Sequence, residues 1–195
     1  MVIIMSKTIY ILDNENKDYK YNIEEDTIIY HFSINSSSNV EINMNKENTT
    51  LYYYYNNINY DNNTFNIKVN HNVSNTHSEV FNHGVNVYDN YLTYSVDGTV
   101  LKNSSKCICN QDNQIININN GKSTIKPNLF IDNYDVDSNH SAYIGKFKDE
   151  TLFYLMSRGI SKRSAYLLLL KSFLINSDSI DLNKIDEFIL EINKI

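Results

Sequence analysis

The stretch that divides this chain is PNLFIDNYDVDSNHSAYIGKFKDETLFYLMSRGIS, residues 127–161. Before it the sequence is rich in asparagine and in β-branched and aromatic residues, and no helical period occurs ahead of residue 148. After it, apolar residues recur at helical spacing. Alternation of apolar and polar residues is typical of strands, and a period of about 3.6 residues is typical of helices. We therefore predict a β body over residues 1–147 and a helical region over residues 148–195.

Length, charge and cysteine content narrow the classes of protein to consider. The 195 residues suffice for one domain with an appendage, and the net charge of −6 argues against a nucleic-acid partner. Two cysteines are too few for a disulfide scaffold and fit a reducing compartment. The apolar opening, Met1–Met5, is too short for a signal peptide or a membrane span. We expect a cytoplasmic protein that binds no membrane and starts at Met1 or Met5.

The body reads as short strands separated by clusters of Asn, Asp and Ser. The predicted strands are Thr8–Leu12, Thr27–Ile34, Val40–Met44, Leu51–Tyr55, Phe65–Val69, Tyr91–Ser95, Thr99–Leu101 and Gln114–Ile118. Because the chain has only five glycines and one proline, Asn and Asp must supply the left-handed turn positions. For the aromatic run Tyr52–Tyr55 we expect two rings in the core and two at the surface. Sandwich, barrel and solenoid all remain open, although the scarcity of Asn-Gly and Asp-Gly pairs slightly favours a parallel solenoid.

The tail is predicted to form three helices, Asp149–Ser157, Lys162–Ile175 and Leu182–Ile192. Gly159 supplies a left-handed stop for the first helix, and Ser161 caps the second. Residues Asn176–Ser179 separate the second helix from the third. The helices are so apolar that they must either form a small bundle or present a surface to a partner, and the residues alone do not choose between these.

Few residues of the body offer a reactive site. Cys107 and Cys109 flank one residue of a strand, so both thiols point to one face; we expect core residues, with sulfur handling or cluster contact as the lesser alternative. Three histidines are expected to be incidental: His71, His77 and His83. Residues Asn120–Thr124, NGKST, imitate the end of a phosphate-binding loop but lack its earlier glycine. Since no nucleophile motif or clustered carboxylate pair is visible, we expect a protein that is not an enzyme.

The dividing stretch also carries a family pattern in two parts. The first part, P-x-L-x-I-x-x-x-D-V-x-x-x-H-x-A-x-x-G, is matched by Pro127, Leu129, Ile131, Asp135, Val136, His140, Ala142 and Gly145. The second part is matched by Asp149, Glu150, Leu152, Phe153, Tyr154, Leu155, Ser157, Arg158, Gly159 and Ile160. This spacing resembles the C-terminal signature of the SufB/SufD family, the scaffold proteins of the SUF iron–sulfur cluster assembly machine. The resemblance covers roughly residues 77–175. The sequence shows no counterpart of the family's usual N-terminal helical region, so it resembles a shortened member.

The resemblance implies a right-handed parallel β-helix with a helical end. It also implies a non-catalytic scaffold that pairs with a SufB-type paralogue and docks a SufC-type ABC ATPase through its helical tail. The residues that it places on the ATPase-docking surface are Phe153, Tyr154, Arg158, Gly159, Leu167 and Leu170. The alternative is a self-associating β-solenoid, paired with itself through the β-helix edge, whose tail only closes the solenoid and which has no role in cluster assembly.

His140 is the residue that the resemblance ties to cluster chemistry. It matches a histidine at the SufB–SufD interface of the family, where a nascent cluster is thought to assemble, and a neutral imidazole can bind iron. Ser141 follows it where SufB-type members have Glu and SufD-type members have Gly, so the chain looks more SufD-like without matching either type. The resemblance implies a transient cluster at a subunit interface and no firmly bound cofactor. A loop histidine with local hydrogen bonds is the equal alternative.

Overall fold

The structure is a computed structural model that describes residues 6–175 and 179–195. The opening residues Met1–Met5 and most of the predicted break Asn176–Ser179 lie outside the described residues. The strands are β1 (Lys7–Asp13), β2 (Lys17–Ile23), β3 (Thr27–Ile34), β4 (Ser38–Met44), β5 (Thr50–Asn59), β6 (Asn63–His71), β7 (His77–Asn86), β8 (Tyr91–Val100), β9 (Cys107–Asn117), β10 (Lys122–Ile131) and β11 (Val136–Gly145). They are followed by α1 (Asp149–Ser157), α2 (Lys162–Leu174), a 3-10 turn (Leu182–Lys184) and α3 (Asp186–Ile192).

All of these strands pair in parallel, in two sheets. The odd-numbered strands form one sheet in the order β1-β3-β5-β7-β9-β11, and the even-numbered strands form the other in the order β10-β8-β6-β4-β2. Each coil therefore gives one strand to each sheet before the next coil stacks on it, which is the architecture of a parallel β-helix. The coils lengthen along the chain: Lys7 pairs with Thr27, whereas His77 pairs with Ile108. The predicted β-helix is confirmed.

Every predicted strand lies in or at the end of an observed one, but four observed strands were not predicted: β2, β7, β10 and β11. Strands β2, β10 and β11 belong to the end coils, where burial is incomplete and the apolar signal is weak. Strand β7 contains Gly84, which makes room for a buried ring. A Cβ at Gly84 would lie 2.1 Å from the Tyr94 hydroxyl oxygen, so packing requires glycine at this position. Glycine weakens the strand signal in the sequence, and β7 was therefore not predicted.

The space between the sheets is filled by alternate residues of each strand. Tyr53 and Tyr55 are fully buried there, while Tyr52 and Tyr54 are half-buried on the outer face, as predicted for the aromatic run. Tyr55 stacks on Phe65 of the opposite sheet with ring centroids 3.5 Å apart. Rings packed across the two sheets set their separation, because a smaller side chain would leave a costly cavity.

Asparagine shapes the corners between the sheets. Among the described non-glycine residues, positive φ occurs at Asn35, Asn48, Asn75, Lys106 and Asn119, with values from 51° to 59°. Asparagine tolerates this left-handed region better than most residues, as predicted from the shortage of glycine. The corners also stack on one another, since the backbone N–H of Asn48 donates to the Asn75 carbonyl over 3.0 Å.

Helices α2 and α3 pack on the outer face of the odd-numbered sheet. Leu170 and Leu174 of α2 and Phe188 and Ile192 of α3 are buried there. Phe188 meets Phe32 of β3 with ring centroids 4.9 Å apart. These two helices therefore cover a sheet of their own chain, an arrangement that is neither a separate bundle nor a free partner surface.

The helix ends follow the predicted signals closely. Gly159 ends α1 with φ of 86°, and Ser161 Oγ accepts the backbone N–H of Ser164 at the start of α2. The predicted third helix is divided at Ile185 into the 3-10 turn and α3. The predicted boundary between residues 147 and 148 falls between β11 and α1, and the division into two domains stays a prediction. Within residues 6–175 and 179–195, no helix combines the length and apolarity needed to cross a membrane.

Two histidines, His31 and His71, are fully buried between the sheets. His71 Nδ1 lies 2.8 Å from Thr76 Oγ1, and its Nε2 lies 2.9 Å from Ser78 Oγ. Burial, with a smaller contribution from His77, lowers the pKa of His71 to about 4. His71 is therefore neutral in the folded chain at neutral and mildly acidic pH, whereas an unfolded histidine has a pKa of about 6.5.

We expect His71 to make the fold less stable in mild acid. As pH falls from about 7 to about 5, the unfolded chain gains a proton that folded His71 does not, and the free energy of unfolding drops by about 2 kcal/mol from this residue. Urea unfolding at both pH values measures the effect. The His71→Gln variant should be less stable at neutral pH but lose about 2 kcal/mol less on acidification. Exposed His140→Gln is the control and should behave as wild type; equal losses in all three proteins would contradict the prediction.

Candidate functional site

The last coil ends the β-helix with an open face. Among the described strands, β11 pairs only with β9, so its outer edge is free. His140 is in register with Gln111 of β9, and Ala142 is in register with Asn113. Gln111 and Asn113 are buried between the sheets, whereas His140 and Ala142 are exposed. These two inward-facing residues of β11 are thus exposed because no further described coil covers them.

His140 lies in the middle of β11, on a strand rather than in a loop. Its imidazole makes no hydrogen bond within the part of the chain that the structure describes, so both ring nitrogens are available. The described residues contain no group of three or more His, Cys, Asp or Glu side chains placed to hold a metal ion. The described residues thus show no ligand set around His140, and its predicted cluster role stays a prediction.

Cys107 and Cys109 lie inside the β-helix, below the open face. Both are buried and point to the same side of β9, as predicted. Gly98 makes room for Cys109, since a Cβ there would lie 2.6 Å from Cys109 Sγ. Burial raises the pKa of the Cys109 thiol to about 11. The thiol is therefore protonated at neutral pH and a poor nucleophile. This placement fits core packing, and a role in sulfur handling stays a prediction.

The outer face of β11 carries a polar cluster that the sequence did not reveal. Ser141 donates a hydrogen bond to Asp112 of β9, and Gln114 Nε2 donates to the same carboxylate over 2.9 Å. His83 Nε2 lies 3.5 Å from Asp112 Oδ2. The His83 contact, with those of Ser141 and Gln114, lowers the pKa of Asp112 to about 2. His83, which we expected to be incidental, therefore belongs to a cluster. Only the coil-to-coil register could have pointed to it.

Helix α1 is the exposed part of the tail, and none of its nine residues is buried. Phe153 is 73% exposed and Tyr154 is 57% exposed. Arg158, just after the helix, places its guanidinium carbon 5.3 Å from the Tyr154 ring centroid. We call Phe153, Tyr154, Met156 and Arg158 the α1 surface. The structure therefore places Phe153, Tyr154, Arg158 and the exposed Gly159 together at one end of the tail.

The two other predicted docking residues lie on α2. Leu170 is fully buried against the odd-numbered sheet, and Leu167 is half-buried. Leu170 offers no surface to a partner while α2 keeps this position, so neither residue belongs to the α1 surface.

The edge strands differ in how they resist pairing with other strands. An edge strand exposes unpaired backbone groups, and lysine or proline on it discourages association. Lysines occur on three of these strands: Lys7 on β1, Lys17 and Lys20 on β2, and Lys122 and Lys126 on β10, which also contains Pro127. Strand β11 contains neither lysine nor proline. It is the edge best suited to pair with another strand.

Comparison with known proteins identifies the family of this chain. The family model described as the SUF system FeS cluster assembly SufBD core domain matches residues 18–173. The iron–sulfur cluster assembly protein SufD of Bacillus subtilis is 33% identical over 78 residues, which are 40% of this chain and 18% of that protein. An iron–sulfur cluster assembly SufBD family protein of Pyrococcus horikoshii is 43% identical over 61 residues, which are 31% of this chain and 13% of that protein.

The chain thus matches less than a fifth of the length of either relative. The family match, in contrast, extends over most of the β-helix and into α2. The chain therefore belongs to the SufB/SufD family of the SUF iron–sulfur cluster assembly system.

Proposed function

We propose that this chain is a non-catalytic, SufD-like scaffold subunit of a SUF complex. It pairs through the β11 edge with a SufB-type paralogue and binds a SufC-type ABC ATPase through the α1 surface. The observation that carries the proposal is the free β11 edge, which lacks lysine and proline and presents His140. Family membership supports a role in iron–sulfur cluster assembly.

Pairing at β11 would satisfy groups that the chain itself leaves open. A strand added to this edge receives backbone hydrogen bonds, the usual source of affinity in strand addition. It would also cover Tyr143 and Ile144, which are exposed near the end of β11. His140 would then face the open coil of the partner, where further ligands can come from the second chain. An iron–sulfur cluster there is cargo assembled at a joint between two subunits, and His140 supplies one ligand.

The α1 surface has the chemistry of a protein-binding site. Tyrosine and arginine are enriched among the residues that contribute most to protein–protein affinity, and an exposed Phe153 beside them adds apolar area. Because α2 and α3 already cover their own sheet, α1 is the described helix that stays available to a partner. A groove on the ATPase could accept it as a helix.

A second copy of this chain could occupy the β11 edge instead. The same features that favour a paralogue favour self-pairing, since both would add a strand to an unguarded edge. In that case the protein would be a self-associating β-solenoid without a cluster role. The two functions differ in what binds β11, and the following experiment separates them.

A charge in β11 should prevent pairing. We expect Ala142→Lys to weaken binding to a SufB-type paralogue from the same genome at least about tenfold, because the ammonium would be desolvated at the joint. Size-exclusion chromatography with light scattering measures the complex. Thr8→Lys adds a lysine to the outer face of edge strand β1, which already carries Lys7; it is the control for an added charge on an edge strand and should bind like wild type. A wild-type chain that forms only homodimers supports the alternative, and one that stays monomeric with the paralogue present overturns both.

Removing the rings of α1 should release the ATPase. We expect Phe153→Ala with Tyr154→Ala to weaken binding to a SufC-type ATPase at least about tenfold without lowering the melting temperature, since neither ring is buried. Isothermal titration calorimetry measures the affinity. Leu190→Ala on α3, where the side chain is 62% exposed, is the control for loss of an exposed apolar residue. Unchanged affinity in the α1 variant would place the docking surface elsewhere.

Loss of the His140 imidazole should lower the iron–sulfur cluster content without dissociating the complex. We expect His140→Ala to co-purify with the paralogue but to carry less iron and sulfide per complex, because one ligand is missing. Metal analysis and the visible absorption spectrum report the cluster. His77→Ala changes a histidine that pairs with Glu79 away from the open coil and should keep wild-type content. Equal iron and sulfide content in both variants would show that His140 is not a ligand of the cluster.

A further inference from the structure

A line of side-chain contacts joins the β11 edge to helix α2. It begins with Ser141 of β11, which donates a hydrogen bond to Asp112. His83 of β7 lies on the other side of that carboxylate. Its Nδ1 donates to the Phe173 carbonyl of α2 over 2.9 Å, and its ring stacks on the Phe173 ring at 4.7 Å and 4°. Four contacts thus connect the free edge to the tail.

Asp112 is the shared acceptor at the centre of this line. Its contacts come from different strands: Ser141 of β11 and Gln114 of β9 donate hydrogen bonds to it, and His83 Nε2 of β7 lies 3.5 Å from Asp112 Oδ2. The carboxylate is half-buried, so water replaces a lost donor only in part. With its pKa lowered to about 2, Asp112 stays ionised and can only accept. Moving one donor therefore changes the environment of the others.

Phe173 is well placed to transmit a change in the tail. It lies in the last turn of α2, where helix carbonyls lack partners within the helix, and His83 supplies the missing donor. The Phe173 ring also meets Phe147 edge-on at 6.2 Å. Phe147 lies between β11 and α1, so the end of α2, the end of β11 and the start of α1 meet at one place.

We propose that His83 and Asp112 couple the order of the β11 edge to the position of α2. Pairing a strand with β11 holds Ser141 on Asp112 and so stabilises α2 on the sheet; displacing α2 removes the acceptor of His83 and loosens β11 around Ser141. The inference rests on the proposed function in one respect, namely that the edge and the tail bind different partners. By linkage the coupling acts equally in both directions.

Hydrogen–deuterium exchange on the full chain tests the coupling from the α2 side. The His83→Leu variant keeps an apolar side chain against Phe173 but removes both polar contacts. We expect exchange about fivefold faster in the last turn of α2 and also around Ser141, which His83 does not touch. His77→Leu, on the same strand, is the matched control and should change neither region. Faster exchange in α2 alone, or in neither region, would overturn the proposal.

The reverse test starts from β11. Ser141→Ala should speed exchange in the last turn of α2 about fivefold, although no hydrogen bond or ion pair of the described residues joins Ser141 to that helix. Ser138→Ala on the same strand faces the interior and is the control. The effects of His83→Leu and Ser141→Ala on α2 should fall short of additive, because both break one line of contacts. If His83→Leu unfolds the chain, Ser141→Ala alone decides, and wild-type exchange in its α2 overturns the proposal.

These measurements need no partner protein. A chain that binds no ATPase but shows the coupled exchange would refute the proposed ATPase docking and leave the coupling standing. A chain that binds its ATPase and paralogue but shows no coupled exchange would refute the coupling and leave the proposed docking standing.

Discussion

In-register stacking of parallel coils is the constraint on which the rest of this structure depends. Each residue lies beside the residue at the same position of the next coil, so side chains accumulate in rows. On the outer face of the even-numbered sheet, the row Lys20, Glu41, Lys68 and Asp97 alternates in charge, and Lys20 Nζ lies 3.0 Å from Glu41 Oε1. Asparagines form similar rows, as where Asn70 Nδ2 donates to Asn43 Oδ1 over 2.9 Å. Such rows stabilise the sheet because each member finds a complementary neighbour.

The same stacking leaves backbone hydrogen-bonding groups unpaired at the two ends of the β-helix. A parallel sheet always leaves one row of unpaired backbone groups at each edge, and a soluble chain must guard or use them. Lysine side chains on β1, β2 and β10 discourage strand pairing at those edges. Strand β11 is unguarded, and His140 faces the same open coil. The features on which we base the proposed interface at this end thus follow from the architecture together with a few residue choices.

The helical tail covers an apolar face of the β-helix. The outer face of the odd-numbered sheet is apolar at Phe32, Ile58, Val85 and Ile116, and exposure of such a face would favour aggregation. Helices α2 and α3 cover it and leave α1 uncovered. One short tail therefore both completes the core and presents a surface. His83, between the two, contacts α2 directly and the β11 edge through Asp112.

Short-range signals by themselves determined much of this protein. The bounds of α1, the stop at Gly159, the cap at Ser161, the alternation of Tyr52–Tyr55 and the left-handed asparagines all follow from residues within a few positions of one another. The family pattern around His140 is equally local. Only the tertiary structure decided which strands are neighbours, that α2 and α3 lie on the sheet, and that Leu170 is buried. It alone brought Ser141 to Asp112, 29 residues away, and His83 to Phe173, 90 residues away. The physical reason is that the register between coils is set by corner geometry and core packing summed over a whole coil, and no local period encodes that sum.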